Sequence, residues 1–289
     1  MKYSTIGIIV KTETSVTDIV VRVCDFLAFK QCDILLDDSV TDIVSCSHVP
    51  IVSRDELVNR ADLAIVIGGD GSFLNAARSL ADKGIPLIGI NVGRLGFMVD
   101  ISPDDIETCL EQILHGNAVS DERFLLEAQV KRDDEIIFSG DALNDVVLHI
   151  RDVARMIEFE TLINSHYVYH QRADGLVICT PTGSTAYALS SGGPLLDTDL
   201  EAIALVPICP HTLTNRPIVV DSDSLIEVIV CETKNAIAQV TCDGQTAFEV
   251  DTGDRILVRR KQNTITLLHP PGHDHYEILR AKLHWSENP

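Results

Sequence analysis

With 289 residues, 45% of them hydrophobic and 23% charged, the chain is long enough to bury a sizeable core and reads as a globular protein of two domains. Its 43 Asp and Glu against 23 Lys and Arg leave a formal charge of −20, which argues against nucleic acid or an anionic membrane surface as partner. Any anionic ligand must therefore be met locally, by selected arginines and backbone amides.

The 8 cysteines (Cys24, Cys32, Cys46, Cys109, Cys179, Cys209, Cys231 and Cys242) show no CxxC pair or other zinc spacing, and several sit in apolar runs. We expect buried free thiols in a reducing cytoplasm. The first apolar run, Ile6 to Val10, ends at Lys11 and is too short for a signal peptide or a membrane span.

In chain order, Ser4 to Val10 reads as a strand, followed by helical spacing at Val16, Ile19, Val20, Val23 and Leu27, with Ser15 as N-cap and Asp18 answering it. Ile34 to Leu36, Leu63 to Ile67 and Leu87 to Ile90 read as further strands. Strands separated by helical segments imply a parallel sheet covered on both faces. Ser102, Pro103 and two aspartates open a helix whose apolar face is Ile106, Leu110, Ile113 and Leu114, and His115-Gly116 ends it. From about Asp121 alternating and β-branched runs take over: Leu125 to Val130, Glu135 to Phe138, Met156 to Ile163, Leu225 to Val230, Ala236 to Val240, Arg255 to Val258 and Thr264 to Leu268. Asp243-Gly244 and Thr252-Gly253-Asp254 are turns. The reading is an α/β domain over 1–120, a β-rich domain over 121–275, and a last segment, 276–289, that packs back on the first domain.

Chemistry concentrates at a few places. Leu63 to Ile67 delivers Gly68-Gly69-Asp70-Gly71, with a helix beginning near Ser72. The glycines let a phosphate chain approach the backbone, while Asp70 alone would repel it. The carboxylate is therefore either a proton acceptor or metal-ion partner, or simply the N-cap of a tight strand-to-helix turn. A second glycine-bearing loop, Asn91 to Phe97, has Arg94 as its only cation, a phosphate partner or an ordinary surface arginine. In the β region the run Arg172 to Tyr187 brings an apolar strand into a turn rich in hydroxyl residues, suited to ribose, amide and phosphate groups, and Tyr187 can stack on a base. The polar pair Asn144-Asp145 precedes the apolar Val146 to Leu148, and its plain alternative is a solvated turn. No GxxxxGK[ST] loop, GxGxxG fingerprint, HExxH or GxSxG is present. His269, His273, His275 and His284 surround Pro270, Pro271 and Gly272, and we expect a solvated tail there rather than a metal site.

Taken together, Gly68 to Gly71, Asn144-Asp145 and Asp174 to Tyr187 with Ser190 resemble the NAD kinase family in order and spacing. Ile208 to Pro217 and Cys242 to Gln245 extend the likeness, which runs from about residue 5 to residue 280 and looks like the proteobacterial branch. The glycine-aspartate turn alone is shared with lipid kinases and phosphofructokinases. The resemblance implies a Rossmann-like α/β domain and a β domain with the active site between them. It implies transfer of the ATP γ-phosphoryl group, with Mg²⁺ bridging phosphate oxygens, to the 2′-hydroxyl of the adenosine ribose of NAD.

By the same likeness Asp70 is the catalytic residue, Gly71 binds beside it, and Gly68, Gly69, Gly71 and Arg94 face phosphate. Asn144 and Asp145 contact adenosine, and many family members carry glutamate where this chain has Asp145. Thr185, Ala186, Tyr187 and Ser190 line the base and ribose pocket, Arg172 and Asp174 match a pair near the nicotinamide end, and Gln245 and Arg155 complete the set. The family forms homodimers or homotetramers. A lipid kinase sharing the turn leaves Asn144-Asp145 and Thr180 to Ser190 unexplained, and a non-catalytic dinucleotide-binding regulator leaves Asp70 without a role.

Overall fold

The computed structural model describes residues 2–11, 16–40, 49–93, 96–151, 156–233 and 237–285. Ser15, Cys46, Arg94, Arg155 and the start of the Ala236 strand lie outside the described residues. The chain divides into two compact units, residues 1–122 with 265–289, and residues 123–264.

The first unit contains strands β1 (Thr5–Val10), β2 (Asp33–Asp37), β3 (Ile51–Val52), β4 (Leu63–Gly68) and β5 (Leu87–Asn91) and helices α1 (Thr17–Phe29), α2 (Arg54–Arg60), α3 (Asp70–Leu80) and α4 (Ile106–Leu114). The strands run parallel in the order β5-β4-β1-β2-β3. All six residues of β4 are buried, which is why it reads as an unbroken apolar run rather than an alternating one. Helix α2 was invisible to apolar periodicity because only Leu57 of its seven residues is buried; Ser53 caps it by accepting the amide of Glu56. Ser102 caps the entry to α4 as expected, through a short 3-10 turn at Pro103–Asp105.

The second unit begins in β6 (Val119–Arg132) and continues through β7 (Glu135–Ala142), β8 (Asp145–Ile150), β9 (Ile157–Ile163), β10 (His166–Ala173), β11 (Gly175–Cys179), the short helix α5 (Tyr187–Ser190), β12 (Ala202–Ile208), β13 (Ile218–Asp221), β14 (Ile226–Glu232), β15 (Ala238–Cys242) and β16 (Thr246–Val250). Antiparallel pairing gives a six-stranded sheet in the order β13-β12-β11-β8-β15-β16. A second antiparallel ladder joins β10, β9 and β14. Leu148, Leu176, Leu205, Phe159 and Val228 meet in one apolar core drawn from both sheets, while Val147, Val177, Val206 and Ala188 form a smaller cluster on the other face of the six-stranded sheet. Buried on both faces, β8 and β11 are the rigid centre of this unit.

Two expectations change. Arg255 to Val258 and Thr264 to Leu268 belong to one strand, β17 (Arg255–His269), whose middle is polar because it is half-exposed. That strand re-enters the first unit at Ile265, pairing Leu267 with Leu87 of β5, so the chain returns eleven residues before 276, the point expected from sequence. Helix α6 (His275–Leu283) follows, capped by Asp274.

Candidate active site

In the first unit the site begins where β4 ends. Gly69 is the N-cap of α3 and Asp70 its first helical residue, so the helix starts two residues before Ser72 and Asp70 is not its cap. The carboxylate instead folds back across the loop: Oδ2 accepts the amide of Phe97 at 2.9 Å and Oδ1 that of Met98 at 3.1 Å. Gly96 makes room for this. A Cβ there would sit 2.3 Å from Asp70 Oδ1 and 2.4 Å from Val99 Cγ2, so one of them would have to move. Gly68 is similarly confined, by Ser72 and Lys11, whereas Gly69 faces open space.

A cavity of about 390 Å³ opens beside this turn, at the carboxyl ends of β1 and β4, where open α/β sheets bind ligands. Gly69, Gly71, Ser72 and Asn75 line it together with Lys11 and Arg54, and no carboxylate does among the described residues. Arg54 pairs with buried Asp37 and donates to Ser79 at 3.2 Å. Burial pushes the Asp37 carboxyl up, but the Arg54 guanidinium and Ser39 more than offset it and hold Asp37 below its ordinary value. Lys11 and Arg54 are the described cations at this cavity, and sequence reading passed over both because neither belongs to a glycine-rich motif.

In the second unit a cavity of about 470 Å³ is lined by Asn144, Asp145, Ala186 and Tyr187, four of the residues expected there. Val147, His149, Gln239, Thr241, Asp243, Gly244 and Ala247 complete its wall; of these, Asp243 and Gly244 had been noted only as a turn within the Cys242 to Gln245 likeness, and none had been expected to line the site. The signal for several was strand alternation: Gln239 and Thr241 are alternate residues of β15, whose ladder partners in β8 are His149 and Val147.

The polar framework is dense. Asp243, in a left-handed turn with φ +51°, accepts the amides of Asn144 at 2.8 Å, Leu143 at 3.1 Å and Asp145 at 3.2 Å. Thr180, fully buried, donates its hydroxyl to Leu143 O at 2.6 Å and accepts the Gly183 amide at 3.1 Å. Gly183 is obligatory, since a Cβ would lie 2.1 Å from the Asn144 carbonyl oxygen. Thus Asn144-Asp145 is not a solvated turn: Asp145 is 5% exposed. Burial, reinforced by the Asp243 carboxylate, pushes its carboxyl up to about 7. Burial also pushes the neighbouring Cys179 thiol up to about 12.

The remaining expected residues of this unit are not in the wall of this pocket. Thr185 lies in the 3-10 turn before α5 and donates to Thr182 O, and Ser190 ends α5. Gln245 follows Gly244 in the β15–β16 hairpin. Arg172 on β10 pairs with Glu158 at 3.0 Å, and Asp174 lies between β10 and β11. Burial, and then the Cys209 thiol and the Asp174 and Asp145 carboxylates, hold the Tyr187 phenol above its ordinary value.

Two of the four late histidines, His269 and His273, depart from the expected solvated tail, whereas His284 is exposed. His269 is buried and His273 half-buried, and both ring Nδ1 atoms lie 2.8 Å from Asp100 Oδ2. Residue type and loop composition suggested solvation; a partner 169 residues away in sequence decided otherwise.

A parallel sheet ending in a glycine-aspartate turn, together with a β-rich unit carrying a pocket of about 470 Å³, fits the class of two-domain kinases that act on nucleotides. The ATP-NAD kinase N-terminal domain signature matches residues 6–118 and the ATP-NAD kinase C-terminal domain signature residues 143–269. An NAD kinase of Nitrosococcus oceani is 48% identical over 98% of this chain and 97% of its own length, and one of Teredinibacter turnerae 46% over 99% and 98%. An Archaeoglobus fulgidus NAD kinase solved with ATP superposes with a TM-score of 0.74 at 25% identity, covering 97% of this chain and 98% of that one. Yeast NADH kinase, solved with NADH, shares the fold with a TM-score of 0.91 at 22% identity, covering 100% and 90%. The chain belongs to the ATP-NAD kinase family.

Proposed function

We propose that the protein transfers the γ-phosphoryl group of magnesium-ATP to the 2′-hydroxyl of the adenosine ribose of NAD, producing NADP. The observation that carries the reading is the placement of Asp70. Its carboxylate is anchored by the Phe97 and Met98 amides rather than spent on capping α3, and so is held in one orientation at a phosphate-compatible turn. Phosphoryl transfer has a loose transition state and depends mainly on positioning and charge neutralisation. Asp70 orients the ribose hydroxyl and accepts its proton, the amides of Gly69 and Gly71 meet phosphate oxygens, and Lys11 and Arg54 supply positive charge. Magnesium would come with ATP and bridge its phosphate oxygens.

In the second unit Asn144, Asp145, Ala186 and Tyr187 receive the adenosine, with Thr185, Ser190 and Gln245 around them. Arg172 and Asp174 serve the nicotinamide end, Arg155 joins the NAD-binding set, and Arg94 serves the phosphates. A reducing, cytoplasmic setting fits the seven described cysteines, all free thiols. Among the described residues no helix is long and apolar enough to cross a membrane. Assembly as a homodimer or homotetramer is part of this reading and rests on the family likeness. Sedimentation of the purified protein reads the subunit number, and a monomer at all concentrations removes that part of the proposal.

Incubation with NAD, ATP and Mg²⁺, followed by an NADP-specific dehydrogenase, tests the activity. Folded protein that yields no NADP leaves the non-catalytic regulator standing. Asp70→Asn should keep NAD binding and lose about 10²- to 10⁴-fold in kcat, the usual worth of a general base; unchanged kcat removes Asp70 from the chemistry.

A further inference from the structure

On β8 and β15 two ladder partners, His149 and Gln239, line the cavity proposed for adenosine. His149 Nδ1 lies 3.0 Å from the carbonyl oxygen of Ile150, which can only accept, so Nδ1 carries a proton. The other ring nitrogen, Nε2, lies 3.0 Å from the side-chain amide nitrogen of Gln239. An amide nitrogen only donates, so Nε2 is bare and accepts from it. The ring is therefore the neutral Nδ1–H tautomer, tethered at both nitrogens, and its lone pair fixes which end of the Gln239 amide is nitrogen.

This pairing decides what Gln239 shows the cavity. One amide hydrogen is used on His149, and the carbonyl oxygen Oε1 has no partner among the described residues. The groups that could turn the amide are engaged elsewhere or absent. Glu249, the ladder partner of Gln239 on β16, meets Arg151 at 3.3 Å. On the other side of His149 the ladder partner in β11 is Gly175, which has no side chain to cover the imidazole. Thr241, two residues along β15 and on the same face, adds a hydroxyl to the wall. Both His149 and Gln239 are half-buried, so their bond is neither sealed in the core nor freely solvated.

A carbonyl oxygen held in one orientation selects a ligand N–H and repels a ligand oxygen. An amide free to rotate selects neither, because a half-turn exchanges its donor and its acceptor. Glutamine is also the side chain whose amide matches the amino edge of adenine.

We propose that Gln239, oriented by His149, is a specificity residue of this pocket that accepts a hydrogen bond from an exocyclic –NH₂ group of the dinucleotide. On the placement above, that group is the adenine 6-amino group; a dinucleotide lying the other way round offers the nicotinamide carboxamide instead. His149 is the positioning residue, acting through Gln239 and not on the ligand. The inference rests on the NAD reading of this pocket and deepens it.

The test compares NAD with nicotinamide hypoxanthine dinucleotide, in which oxygen replaces the adenine amine, and with nicotinic acid adenine dinucleotide, in which a carboxylate replaces the carboxamide. Turnover is read as ADP release and affinity by calorimetry, on the same folded, full-length proteins. In the parent we expect one analogue to fall at least about fivefold below NAD in both, the lower end for a matched base contact. The hypoxanthine analogue does so if adenine lies against Gln239, the nicotinic acid analogue if nicotinamide does. Gln239→Leu deletes the acceptor and should bring NAD and that analogue within about twofold of each other. His149→Phe keeps a ring but releases the amide, so the disfavoured analogue should gain while NAD loses, because the freed amide can turn its N–H towards the oxygen. A merely structural pair lowers Tm and scales all three dinucleotides alike. Gln239→Met, which keeps the chain length, replaces the leucine variant should that one fail to fold. Equal use of all three dinucleotides by the parent, or a preference that survives both substitutions, would overturn the proposal. Calorimetry separates this result from the kinase reading: a parent that releases no ADP yet binds NAD with a Gln239-dependent preference loses the activity and keeps the specificity residue, and a parent that binds no dinucleotide loses both.

Discussion

Gly96 and Asp145 show how single residues set the site. Gly96→Ala places a methyl group 2.3 Å from Asp70 Oδ1 and 2.4 Å from Val99 Cγ2, so either the carboxylate or the loop must move. Overpacking of this kind costs about 1–3 kcal/mol. We expect a lower Tm and a fall in kcat of at least about tenfold, with NAD affinity retained because the adenosine pocket is built elsewhere. Steady-state kinetics that show only a KM change would refute the coupling. Asp145 carries a pH signature. Its carboxyl stands at about 7 in the folded protein against 3.8 for the free group, so between those values the native state holds the extra proton. Stability contributed at this position is therefore fully present below about pH 4 and declines as pH rises through 7, by roughly 2–4 kcal/mol at most. Asp145→Asn removes that slope. Denaturant titrations at pH 5 and pH 8 should show the variant gaining on the parent at the higher pH, and an identical pH slope in both proteins would mean that Asp145 titrates normally.

At the scale of elements, the pocket proposed for adenosine depends on how β8 is tied to the turn after β11. Thr180 links them through the Leu143 carbonyl and the Gly183 amide, both buried. Thr180→Val keeps the volume and deletes the hydroxyl, leaving backbone groups without a partner at a cost of about 1–3 kcal/mol. Thermal unfolding should register the loss, and NAD titration should show weakened binding because Asn144 is released. A lowered Tm with unchanged NAD affinity would confine Thr180 to stability. Four strands of the second unit escaped sequence reading: β10, β13 and β16 are edge strands with much of their surface exposed, whereas β12 is a buried inner strand that was missed despite its apolar run. Edge strands need no apolar face on both sides, and β10 is further broken by a bulge between Tyr167 and Tyr169. The central strands β4, β8 and β11 were legible because full burial leaves only apolar choices.

For the whole molecule the formal charge of −20 is the dominant field. It repels polyanions at a distance, so substrates such as ATP must be captured by local cations and amides close to the sheet edge. We expect no retention of duplex DNA in a gel-shift experiment at low salt, where electrostatic binding is strongest; a salt-sensitive complex would expose a basic surface that the composition hides.

The sequence by itself determined the class of each unit, the glycine-aspartate turn, the small-residue loop of the β domain and the ordered motifs that mark the family. These are local properties: buried strands must be apolar, and close backbone approach demands glycine. Tertiary structure alone decided the partners. Asp70 takes amides 27 and 28 residues away, Asp243 takes three amides 98 to 100 residues away, and His269 meets Asp100 across 169 residues. No propensity or period encodes such pairings, because the free energy that fixes them comes from burying a polar group only where a distant chain segment can satisfy it.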